Sequence, residues 1–138
     1  MINDIVVINM LVGIYLTYMG VKDLRYGKVE NEITIVFIML CIFKFFFVGD
    51  FSIYIISYKL FTISSLLAFY YISNGKIGGA DIKILIGLAI ALNIESFILQ
   101  IIFATSLALV FVVINKGFKK KIENIRLIPF IAISYILV

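Results

Sequence analysis

Six apolar blocks, at roughly 3–20, 33–48, 51–73, 82–93, 94–115 and 127–138, leave little of the chain for anything else. A helix needs about 20 apolar residues to cross a bilayer core, with about 17–25 the usual range. The first, second, third and fifth blocks meet or approach that length. The fourth ends at Asn93 and is short, as is the last. Such segments tilt into a thinned region, borrow flanking residues or span incompletely. The blocks are continuous rather than alternating, which predicts helices and not barrel strands. The expected fold is therefore all-α, a polytopic membrane helix bundle of about six transmembrane helices. It forms a single domain over residues 1–138, with no separate soluble domain. Composition points the same way: 64% of residues are hydrophobic and 14% charged, against about 45–50% and about 25% in soluble domains.

The polar connections give an orientation. Segments 21–32, 74–81 and 116–126 hold Lys22, Arg25, Lys28, Lys76, Lys116, Lys119, Lys120, Lys121 and Arg126, and Lys83 follows just inside the fourth block. The opposite side offers Asp4, Asp50 and Glu95, with no Lys or Arg. Basic loops face the cytoplasm, so the expected location is the cytoplasmic membrane, with the termini outward or in the outer leaflet. Lys44 and Lys59 are the exceptions. Lys44 is near an outer helix end, from which it is expected to snorkel to the interface. Lys59 lies deeper, with no evident partner. The first block has no basic residue ahead of it and so does not read as a cleavable signal peptide. Anionic lipid and orientation account for the net charge of +4, and no nucleic-acid partner is expected.

The absence of histidine excludes whole reaction classes. Neither a Ser-His-Asp or Cys-His nucleophile nor a histidine zinc site can be assembled. Cys41 is the only cysteine, which removes intrachain disulfides and cysteine-clustered metals. No metal or cofactor is expected. Carboxylates, lysines, hydroxyls or backbone must carry any chemistry.

Among eight carboxylates, two sit in unusual places. Asp23 follows the first apolar block and Asp81 opens the fourth, and the orientation puts both at the cytoplasmic boundary. Carboxylates a few ångströms apart cannot both ionise easily, so one holds a proton. The ionised one then draws a proton from water while the other donates to a carbonyl oxygen. Plainer readings exist for each residue. Asp81 suits the N-cap of the fourth helix, Gly78 and Gly79 a simple turn, and Asp23 a loop charge beside Lys22, Arg25 or Lys28.

Two segments taken together favour the chemical reading. Asp23-Leu24-Arg25-Tyr26-Gly27-Lys28-Val29-Glu30-Asn31 resembles the Asp-x-[Arg/Lys]-x-x-x-Ile-Pro-Asn segment of prepilin peptidases. Gly78-Gly79-Ala80-Asp81-Ile82-Lys83 resembles that family's Gly-x-Gly-Asp-x-Lys motif, and Leu127-Ile128-Pro129-Phe130 its Pro-Phe opening of the last helix. The resemblance implies a membrane aspartic endopeptidase that removes the basic leader of type IV pilin-like precursors at the cytoplasmic face. By position, Asp23 and Asp81 match the catalytic aspartates, and Gly78 and Gly79 the glycine turn. Arg25, Asn31 and Lys83 match supporting polar positions. The pilin precursor is the implied partner, along with the bilayer; the oligomeric state stays open.

The chain departs from the pattern twice. Ala80 replaces the second motif glycine, so that position needs a negative φ or carries strain. Glu30 replaces the proline before Asn31. The cysteine-rich region of larger bacterial members is missing, which suggests the short, peptidase-only type of Flp/tight-adherence or archaeal systems, without N-methylation. Glu30, Glu32 and Glu123 are candidates for attracting a basic leader; as ordinary charges they balance neighbouring lysines. The alternative from another class is a non-catalytic membrane scaffold or assembly subunit of a pilus or secretion system. A protease cutting within helices fits the Asp23 segment less well. A transporter is disfavoured because no carboxylate lies centrally in a span.

Overall fold

A computed structural model describes residues 2–48, 51–73, 78–117 and 126–137. Its elements are α1 (Ile2–Tyr26), α2 (Asn31–Val48), α3 (Ile53–Ile72), α4 (Gly79–Ala91), α5 (Ile94–Gly117) and α6 (Ile128–Leu137). The six apolar blocks thus become six helices, with no strand among the described residues. Three helices, α1, α3 and α5, are long and apolar enough to cross a membrane. The two short blocks become the two short helices, α4 with 13 residues and α6 with 10.

Packing pairs α1 with α6, α2 with α4, α5 with α6, α1 with α2, and α3 with α4. The core is the shared seam of α1, α2, α4 and α6. Val12, Leu16 and Met19 meet Phe37, Cys41, Ile84, Leu88 and Ile131 there, all fully buried. The seam is tight because small residues face large ones: a Cβ on Gly87 would stand 2.8 Å from the Phe37 ring. Polar side chains reach the interior with their hydrogen bonds satisfied, Ser134 donating to the Ile131 carbonyl at 2.9 Å among them. Gln100 of α5 is buried and donates to the Ile131 carbonyl of α6 at 3.1 Å, which satisfies an amide that apolar surroundings would otherwise penalise. By contrast α3 has no buried residue. Its Ile53, Tyr54, Tyr71 and Ile72 are among the most exposed side chains, as suits a helix whose solvent is lipid.

The two interior lysines depart from the sequence expectation. Lys44 does not snorkel out: its side chain is 6% exposed, with the Tyr135 ring centroid 6.0 Å from Nζ. Lys59 has partners that its position in the chain did not reveal. Its ammonium donates to the carbonyls of Ala89, Ile90 and Leu92 at 3.0, 2.6 and 2.8 Å. The last carbonyls of a helix lack intrahelical donors and carry the negative end of its dipole, so one lysine of α3 closes the end of α4. Lys59→Met should lower stability by about 1.5–3 kcal/mol, the range for hydrogen bonds to charged groups, read as an earlier melt in detergent. An unchanged melt would show that solvent or lipid satisfies those carbonyls equally well.

Candidate active site

Asp23 lies in the last turns of α1, with a side chain only 6% exposed. The helix ends at Gly27, which has φ +73° and returns its N–H to the Asp23 carbonyl at 2.8 Å. This left-handed stop is the common glycine ending of a helix. Arg126, just ahead of α6, completes it. Its Nη1 donates to the carbonyls of Asp23 and Leu24 at 2.6 and 2.7 Å. A Cβ on residue 27 would stand 2.8 Å from the Arg126 guanidinium, so glycine serves both the turn and the approach of the arginine.

Asp81 comes from the opposite direction, in the first turn of α4. It is not the N-cap that the sequence suggested. Gly78 holds that place, in an extended conformation with φ −60° and ψ 129°, and Asp81 is the third helical residue. A carboxylate at that position folds back over the N-cap. The Asp81 Oδ2 atom comes so near Gly78 that an added Cβ would lie 2.8 Å from it. Ala80 falls inside the helix, so of the two options open to it the negative φ holds and no strain arises.

The two carboxyls are brought together at one end of the bundle. The Asp81 carboxylate accepts the backbone N–H of Ile128 at the start of α6, and the charge of Asp23 acts on it directly. Asp81 stands ahead of the apolar part of α4, and its pKa is pushed up to about 6. Burial is the larger cause and the Asp23 charge the second; the Ile128 N–H opposes both and loses. A carboxylic acid whose pKa lies near 6, beside another carboxylate, exchanges its proton readily in the range just below neutral pH and can both donate and accept in one reaction.

The other motif residues divide into two groups. Lys83 donates to Asn31 Oδ1 at 2.6 Å, tying α4 to the first residue of α2. Gly79 stands near the Tyr70 hydroxyl of α3, 3.7 Å from where its Cβ would be. Arg25 is exposed and makes no hydrogen bond among the described residues; it lines a groove of about 510 Å³ with Tyr18, Lys22 and Lys28. Glu30 pairs with Lys22 at 3.1 Å, the glutamate side open to solvent, a pair of little energetic weight. Glu32 is exposed in the first turn of α2. Glu123 lies outside the described residues. No group of three or more His, Cys, Asp or Glu that could hold a metal ion occurs among the described residues. Sequence reasoning took Arg126 only as an orientation charge. The available signal was its place directly before the Pro129 helix opening, which returns to the end of α1.

A family model described as the type IV leader peptidase family matches residues 10–113. No curated protein and no solved structure matches the chain.

Proposed function

Because the chain belongs to the type IV leader peptidase family, we propose that Asp23 and Asp81 are its catalytic pair and that it removes the basic leader of pilin-like precursors at the cytoplasmic face of the membrane. The reading is supported above all by two aspartates 58 positions apart, at the end of α1 and the start of α4, whose charges interact and of which Asp81 has its pKa pushed up to about 6. Asp23, in its ionised form, takes a proton from water, and the resulting hydroxide attacks the scissile carbonyl. Asp81 gives its proton to the carbonyl oxygen. On collapse of the tetrahedral intermediate the amine leaves with a proton returned by the pair. The Arg126 clamp and the Lys83–Asn31 bond are positioning contacts. They fix the two helix ends that carry the aspartates.

Co-expression with a pilin-like precursor tests the proposal. The wild type should shorten the precursor by its leader, and the Asp23→Asn variant should leave it at full length. Processing by that variant at the wild-type rate would remove Asp23 from the mechanism.

Gly78→Ala probes placement rather than chemistry. The new methyl must displace the Asp81 carboxyl, and a shift of about 1 Å costs on the order of 10²-fold in rate. The expected result is a kcat loss of about tenfold or more with the thermal melt preserved. A wild-type kcat would show that the carboxyl has room to move without consequence.

A further inference from the structure

At the far end of α4 from Asp81, a cavity of about 520 Å³ opens between α2, α3 and the α4 C-terminus. Lys44 and Lys59 line it together with Phe45, Tyr58 and Ile90. Its size falls within the range of small-molecule sites, about 300–1,000 Å³. The charge balance is the unusual part. Lys44 is more than nine-tenths buried, and among the described residues its ammonium has no hydrogen-bond acceptor, only the Tyr135 ring 6.0 Å away. Lys59 lines the same cavity from α3. The Lys59 ammonium already gives its three N–H groups to helix carbonyls, so it contributes charge to the cavity and Lys44 contributes the free donors. A buried lysine and a half-buried one facing one largely apolar space are costly unless an anion joins them.

We propose that this cavity binds the phosphate of an anionic phospholipid, with Lys44 donating to the phosphate oxygens, Lys59 supplying a second positive charge, and the acyl chains following the exposed apolar face of α3. A lipid is favoured over a soluble anion because the walls beyond the lysines are apolar and aromatic, and because Ile53 and Tyr54 at this end of α3 are about four-fifths exposed, at 80% and 82%. By the orientation of the basic loops this is the outer leaflet. The site owes nothing to the peptidase reading and stands or falls separately from it.

Native mass spectrometry of the purified protein decides between outcomes, with phosphatidylglycerol and phosphatidylcholine of identical acyl chains offered together. At about fivefold for each cation, the wild type should retain the anionic lipid at least fivefold better. Lys44→Met should lose about fivefold of that preference, and Lys44→Arg should keep it. Equal retention of both lipids by the wild type would overturn the proposal. So would full preference in a folded Lys44→Met protein, or displacement of the lipid by millimolar inorganic phosphate. A photoactivatable phosphatidylglycerol provides a test on the wild type alone. It should label peptides containing Lys44, Tyr58 or Asn93, and labelling confined to the 21–32 segment would equally overturn the assignment.

Discussion

Asp81→Asn should slow leader cleavage by about 10²–10⁴-fold, the usual contribution of a positioned acid or base, with KM little changed and the thermal melt close to wild type. Asparagine keeps the shape and can still accept the Ile128 N–H through its carbonyl, but it has no transferable proton. Asp23→Asn should fall in the same range. The double variant should be scarcely worse than either single one, since the two groups act as a unit. The wild-type rate should also depend on pH in one direction. Burial and the Asp23 charge hold the Asp81 pKa at about 6, so the fraction carrying the needed proton shrinks as pH rises from 6 to 8, and kcat should decline with it. The fold responds with the same sign. A carboxyl whose folded-state pKa lies above its unfolded value binds the proton more tightly when folded, so stability falls as pH rises from about 4 through about 6. A rate that climbs steadily between pH 6 and 8 would reject Asp81 as the proton donor.

Gly27→Val should be the most damaging substitution outside the aspartates. At φ +73° a β-branched residue is a conformational outlier, with a strain of about 1–3 kcal/mol. Its Cβ also occupies the place of the Arg126 guanidinium. Expelling the arginine forfeits charge-assisted bonds to the Asp23 and Leu24 carbonyls, another about 1.5–3 kcal/mol. A total loss of about 2.5–6 kcal/mol is expected by thermal or denaturant unfolding in detergent, together with reduced cleavage because Asp23 loses its anchor. Arg126→Ala should reproduce the second part alone. Gly27→Asn should be milder than Gly27→Val, since asparagine tolerates the left-handed region. A Gly27→Val protein as stable as the wild type would mean that α1 ends in another way without cost.

Much of this organisation can be read from the chain because lipid enforces it. An apolar run with no water beside it must satisfy its backbone internally, so six blocks become six helices, and their short connections put Asp23 and Asp81 on the same side. What escapes such counting depends on helix rotation. Lys44 sits on the inward face of α2, and nothing in Cys41-Ile42-Phe43-Lys44-Phe45 distinguishes that face from the lipid-facing one, since both are apolar. Lys59 finds the end of α4 only because α3 lies against that short helix. Whether the cap falls at Gly78 or at Asp81 turns on a shift of three residues, which both an Asp cap and a glycine cap satisfy. Arg126 meets Asp23 across 103 positions, a distance over which local pattern is silent.

That last separation has a consequence in time. The α1 ending, with Asp23 inside it, is clamped by residue 126, and Asp81 leans on the N–H of residue 128. During synthesis both aspartates are made before either of these contacts can form. A nascent chain that has threaded α1 through α5 carries both carboxyls without the parts that hold them in register. Docking of α6 between α1 and α5 supplies them in a single step. Placement of the two aspartates is thereby coupled to completion of the bundle.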